Sequence, residues 1–152
     1  MIDSASLQEL ISRWWFNYDQ GNFDELKKLV TDDVHFACRT DTGTTDYEEF
    51  VRADVSGRDE MIAWQRQHRL DSPFPLRHNG TNVHLVDSNG TEARFASYIF
   101  VTQITEGVSN LSTAIVQGAV REEDGVLLLA DLDVTLDTMT SQPLREVKPE
   151  LA

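Results

Sequence analysis

Three turn signals in the second half of the chain, Asn89-Gly90, Glu106-Gly107 and Asp124-Gly125, separate runs rich in apolar and β-branched residues. This pattern predicts four strands, roughly 77–87, 91–105, 108–122 and 126–137, joined by hairpins into an antiparallel meander. Such strands exceed the usual length of about 3 to 10 residues, so they must bend as well as twist. Gly80 and Gly118 are the candidate bulge or bend points.

The first half has a different period. Leu7, Leu10, Ile11, Trp14, Trp15 and Tyr18 recur at helical spacing and predict an amphipathic helix over about 5–19, stopped by Gly21. Asn22 followed by Glu25 has the cap-and-N3 spacing of a second, short helix that buries Phe23, Leu26, Leu29 and Val30. In "DDVHFACR", Val34, Phe36 and Cys38 alternate with His35, Ala37 and Arg39, as in a half-buried strand. A third helix is expected from near Gly57 through "RDEMIAWQRQHRL". Helices followed by a meander give an α+β domain, with the helices on the concave face of a curled sheet. Residues 40–56 form a long acidic connection carrying Tyr47, Phe50 and Val51, which reads as a lid or as mobile surface. The expectation is a single domain over 1–152, with its core in about 5–138 and a tail, 139–152, that is a strap or a disordered end.

Charge excludes some partners. The chain has 13 Lys and Arg against 26 Asp and Glu, a net charge of −13, which argues against holding nucleic acid or an anionic membrane. No apolar run is long enough to span a bilayer, and "MIDSASLQEL" lacks the order of a signal peptide, so a cytoplasmic protein is expected. Neither a metal-ligand spacing nor a phosphate-cradling or nucleotide-binding glycine motif is present, and no metal or cofactor is expected.

Asp19 breaks a local rule. It stands in the last turn of the first helix, facing the negative end of the macrodipole, which ordinarily costs roughly 0.3–1 kcal/mol. Residues that break local rules are often functional. Among the histidines, His35 lies opposite Val34 and Phe36, which predicts an exposed ring. His68 shares a helical face with Met61 and Trp64, which predicts a core or rim position. His78, Asn82 and His84 share one face of an unbroken strand, although a bulge at Gly80 would separate them. On the last strand Asp131 and Asp133 oppose the apolar face, so Asp133 is either solvated or at a site rim.

The order of elements, with "FNYDQGNFDELKKLVTDDVHF" at the front and "LRHNGTNVHL" opening the sheet, resembles the SnoaL-like branch of the nuclear transport factor two superfamily over about residues 5–138. The resemblance implies a cone-shaped α+β barrel, with three N-terminal helices packed in the concave face of a strongly bent, mostly antiparallel sheet. It also implies a small-molecule pocket at the wide mouth. Within this group the nearest pattern is that of hexachlorocyclohexane dehydrochlorinases, bile-acid dehydratases and scytalone dehydratase. In the dehydrochlorinases an aspartate ending helix one and a histidine in a His-x-Gly-Thr-Asn context form a catalytic dyad, and Asp19 and His78 are the matching positions.

The resemblance further implies a substrate site drawn from Trp14, Trp15, Tyr18, Phe36, Trp64, Asn82, Tyr98 and Asp133, with Trp14, Trp15 and Phe16 as core and wall. The dehydrochlorinases carry a lysine at the position of Trp14 and a cysteine at that of Leu76, and bile-acid dehydratases a tyrosine at that of Trp14. An acid, if one is needed, must come from elsewhere, such as Tyr18, Tyr47 or Tyr98. The implied activity is that of a cofactor-independent lyase or isomerase acting on a small hydrophobic or polycyclic molecule, in a homodimer. Alternatives on this scaffold are a non-catalytic ligand binder, an accessory subunit like the small subunit of ring-hydroxylating dioxygenases, and hydrolases or cyclases. An open cavity at His78 separates a catalytic from a merely structural pair.

Overall fold

The computed structural model describes residues 1–152. Apolar residues three and four apart wind the N-terminal segment into α1 (Ser4–Gln20), which buries Leu7, Leu10, Ile11, Trp14, Trp15, Tyr18 and Asp19. Asp3 caps its start, its Oδ1 accepting the Ser6 N–H at 2.8 Å. Its end is a Schellman turn. Gly21 adopts φ 72°, its N–H donates to Tyr18 O, and the Asn22 N–H donates to Asn17 O. Asn22 does precede α2 (Phe23–Lys27), but its side chain makes no cap bond; its Nδ2 donates back to Asn17 Oδ1 at 3.0 Å. Phe16 is 63% exposed and belongs neither to the core nor to the wall.

Next come β1 (Val30–Thr40), a one-turn helix α3 (Glu48–Val51), β2 (Ala53–Ser56) and α4 (Arg58–Asp71). The acidic connection therefore contains a turn of helix and an edge strand. The predicted meander follows as β3 (Leu76–Ser88), β4 (Glu92–Thr105), β5 (Val108–Glu123) and β6 (Val126–Leu136). The six strands form one open sheet in the order β2-β1-β6-β5-β4-β3, and only the β1–β6 pairing is parallel. After Thr138 every residue is exposed, with one turn of helix, α5 (Leu144–Val147), and a 3₁₀ turn over Pro149–Leu151. No helix is long and apolar enough to cross a membrane.

Two hairpins follow the expected chemistry. Glu106-Gly107 and Asp124-Gly125 both have positive φ at both residues, the type I′ signature. Asn89-Gly90 does not make a two-residue turn. Instead the Asn89 Oδ1 accepts the Glu92 N–H at 2.9 Å and closes a longer loop.

The glycines act by closeness. A Cβ on Gly80 would lie 3.1 Å from Ile11 Cγ2 and 3.3 Å from Trp15 Cδ1, so Gly80 lets α1 settle onto β3. The bulge on that strand is instead at Asn82, with φ 55° and a register shift between Thr81 and His84. The extra residue turns Val83 and Leu85 inward and leaves Asn82 and His84 exposed. Gly118 does sit beside an irregularity, between Ala119 and Val120 on β5, where it gives room to Phe95 and the backbone of Asp131.

His35 is not simply exposed. Its Nδ1 lies 2.7 Å from Asp131 and its Nε2 2.8 Å from Asp54, tying β1 to β6 and to β2. The bonds to Asp54 and then Asp131 raise its pKa. A raised folded pKa means stabilisation that is complete below the unfolded value of about 6.5 and is lost as pH rises through the folded value. The ring is 40% exposed, so solvent screening keeps the effect under about 1 kcal/mol. We expect His35→Gln to lower Tm more at pH 5.5 than at pH 8.5; equal losses at both would show that the imidazolium contributes nothing.

Candidate active site

A cavity of about 390 Å³ opens between α1, α4 and the inner face of the sheet. Six aromatic side chains line it. Trp15 and Tyr18 come from α1, Phe36 from β1, Tyr47 and Phe50 from the connection, and Trp64 from α4. The connection is anchored there by Glu48, a buried carboxylate that accepts the Thr40 hydroxyl and backbone N–H.

From β3, His78 lines this cavity. Asp19 Oδ1 lies 2.6 Å from its Nδ1, and Asp19 Oδ2 accepts its backbone N–H at 2.7 Å. A carboxylate only accepts, so Nδ1 carries the proton, and Nε2 takes no partner within the chain. Trp15 stacks on the imidazole at 4.8 Å and an interplanar angle of 7°, while Tyr18 meets it edge-on at 5.2 Å. The ring is thus held by a two-point carboxylate and by aromatic walls.

The misplaced helix-end acid now has an account. His78 supplies two donors to the carboxylate, and Arg69 Nε donates to the Asp19 backbone carbonyl at 3.0 Å. Arg69 Nη1 also binds the carbonyl of Pro73, so the buried guanidinium ties the end of α1 to the segment leaving α4. A cation on the last-turn carbonyls offsets the negative helix end that Asp19 would otherwise face.

A second histidine completes the site. His68 Nδ1 lies 2.5 Å from the Tyr18 hydroxyl, and its ring is sandwiched between Phe50 and Trp64. Burial, with neighbouring His78 and Arg69, lowers its pKa to about 4, while burial pushes that of Tyr18 up. Both are neutral at pH 7. Cys38 also lines the cavity, but burial raises its thiol to about 12 and keeps it protonated.

A family model described as SnoaL-like domain matches residues 1–133. The chain belongs to that family. No curated protein matches this SnoaL-like domain in sequence. Among solved structures, it resembles a cystatin-like-fold protein of unknown function from Nostoc punctiforme PCC 73102, with 19% identity, 93% of this chain and 95% of that one covered, and a TM-score of 0.71. It also resembles a hexachlorocyclohexane dehydrochlorinase, with 17% identity, coverages of 91% and 88%, and a TM-score of 0.71. A scytalone dehydratase-like protein from Novosphingobium aromaticivorans DSM 12444 gives 15% identity, coverages of 91% and 86%, and a TM-score of 0.68. Likenesses at this identity show the fold alone.

Within this SnoaL-like domain, Asp19, His78, Trp15, Tyr18, Phe36 and Trp64 converge on one place. Four expected site residues do not. Trp14 is fully buried in the core behind the wall. Asn82 is turned out by its own bulge. Tyr98 is 53% exposed and pairs in register with Ile115, itself 39% exposed, on the outer face. Asp133 bonds Arg39 at 2.9 Å on the same outer side. Gln65 and the pairing of His68 with Tyr18 add to the residues expected from the sequence. The signal for both was their spacing from Met61 along one face of α4, which gives polar residues no reason to point inward unless something meets them.

Proposed function

We propose that this SnoaL-like domain is a cofactor-independent lyase or isomerase that removes a proton from a carbon next to an electron-withdrawing group. The observation that carries this is the Asp19–His78 pair, 2.6 Å apart, whose imidazole lines the cavity with Nε2 free of protein partners. Nε2 takes the substrate proton, and Asp19 stabilises the imidazolium that forms. A largely apolar wall strengthens that interaction by excluding water. With the Nδ1–H of neutral His68 donating to its phenol oxygen, protonated Tyr18 keeps its own hydroxyl proton to donate to the oxygen on which charge develops. The dehydrochlorinase and scytalone dehydratase-like neighbours support a chemistry of this kind.

The test uses 5-nitrobenzisoxazole, a neutral bicyclic probe. Removal of its one heterocyclic C–H proton breaks the N–O bond and releases a coloured phenolate, so one base suffices. We expect the wild-type chain to accelerate this ring opening over buffer, and His78→Ala to lose on the order of 10²–10⁴-fold of that acceleration while keeping its fold. Equal rates for wild type and His78→Ala would remove His78 as the base.

A further inference from the structure

α4 carries a polar group that the dyad does not use. Gln65 is only 3% exposed, lines the cavity, and has no side-chain hydrogen bond within the chain. A glutamine amide holds two donors and a two-lone-pair acceptor, and here it opens onto the cavity, so a ligand that displaces water must pair with it or bear its desolvation cost. The cavity it lines carries six aromatic rings, and His68 follows three residues later on the same helical face. Met61, one turn before, is fully buried and apolar, so the inward face of α4 changes from apolar to polar at Gln65.

The rest of the lining limits what Gln65 can meet. It includes neither Lys nor Arg, and its one carboxylate is Asp137. The buried guanidinium nearby, Arg69, is engaged by the carbonyls of Asp19, Ser72 and Pro73. An anionic ligand would enter without a free countercharge, in a chain of net charge −13.

We propose that Gln65 is the specificity-determining residue of this cavity, its amide pairing with a neutral oxygen, hydroxyl or carbonyl, on an uncharged aromatic or fused-ring substrate. Free carboxylates, phosphates and the anionic thioesters of large carriers are excluded as the part that enters. The inference rests on the cavity being the substrate site, but not on which residue moves the proton.

Equilibrium dialysis of the full chain against 2-naphthol, 2-methylnaphthalene and 2-naphthoate tests it. The three probes share a ring system and differ in carrying a neutral hydroxyl, no polar group, or a charge. Relative to wild type, Gln65→Leu shifts the ratio of the naphthol to methylnaphthalene Kd by roughly fivefold to tenfold against naphthol. Gln65→Met does the same with an unbranched side chain, and melting curves confirm that each variant is folded. The ratio is read in binding alone, with no proton transferred, so failure of the dyad in the ring-opening assay and failure of this subsite give different results. An unchanged ratio in folded Gln65→Leu and Gln65→Met overturns the proposal. So does naphthoate binding as tightly as naphthol, or a wild-type chain that binds no naphthol at all.

Discussion

Asp19→Asn keeps the fold and loses the base, whereas Asp19→Ala loses much of the fold. The carboxylate is 5% exposed and accepts from both the backbone N–H and the ring Nδ1 of His78. Alanine leaves both buried donors unpaired, and removing one partner of such a pair costs about 3–5 kcal/mol. Asparagine can answer both, but only in one way. The backbone N–H can only donate, so the asparagine Oδ1 must face it, and its NH₂ then points at Nδ1. Nδ1 must become the acceptor, and the ring proton moves to Nε2. The atom that faces the cavity is then a donor, and the base is gone. We expect Asp19→Asn to lower the ring-opening rate on the order of 10²–10⁴-fold while changing stability by less than about 2 kcal/mol. Nitrogen-15 chemical shifts of the imidazole check the tautomer directly. An Asn variant with wild-type activity would show that the carboxylate neither sets the tautomer nor supports the imidazolium.

Gly118→Ala is the most damaging small substitution in the sheet. Its added Cβ would lie 2.3 Å from the carbonyl oxygen of Asp131 and 2.8 Å from Phe95 Cε1. The first contact is with backbone, so no side-chain rotation relieves it. Gly118 is paired in register with both Phe95 on β4 and Leu132 on β6, and the two seams would have to part together. Overpacking typically costs about 1–3 kcal/mol, and with backbone as the obstacle the upper end applies, a large fraction of the roughly 5–15 kcal/mol that holds a domain folded. Urea unfolding of Gly118→Ala should therefore show a markedly lower midpoint, if the variant is recovered soluble at all. Gly80→Ala is milder, because its added methyl meets the Ile11 and Trp15 side chains at 3.1 and 3.3 Å, and these can shift by tenths of an ångström. Near-equal midpoints for the two variants would contradict this account of the close packing at Gly118.

The helix–meander order was legible because it depends on period and turn chemistry, which are local. Trp14, Trp15 and Tyr18 announced α1 by spacing alone, and the positive-φ pairs at 106–107 and 124–125 announced two hairpins. Partner strands were less legible. Nothing in "DDVHFACR" shows that β1 pairs in parallel with the last strand of the chain, or that Ala53–Ser56 forms an edge beside it, because both depend on contacts distant in sequence. The site was half legible. Asp19 was marked by its conflict with the helix dipole and His78 by its resemblance to a known dyad. Asn82 was misplaced because the bulge lies at Asn82 itself, where an asparagine tolerates positive φ, rather than at the more obvious Gly80. Tyr98 and Asp133 are of useful chemical type but on strand positions whose alternation points outward. His68 was read as a core or rim residue, and its sharing of a cavity with His78 depends on how α4 crosses α1.

The central claim, that His78 removes protons from carbon in this cavity, is tested most directly by hydrogen–deuterium exchange. The neutral fused-ring ketone 2-tetralone, dissolved in D₂O, loses the proton NMR signal of its activated CH₂ only as fast as a base removes those protons. No leaving group or net reaction is needed. The account predicts exchange well above the buffer rate with the wild-type chain, and a return to near the buffer rate with both His78→Ala and Asp19→Asn. Exchange that is no faster with the wild type than in buffer, although the ketone binds, would contradict it and leave the cavity as a ligand-binding site without a base.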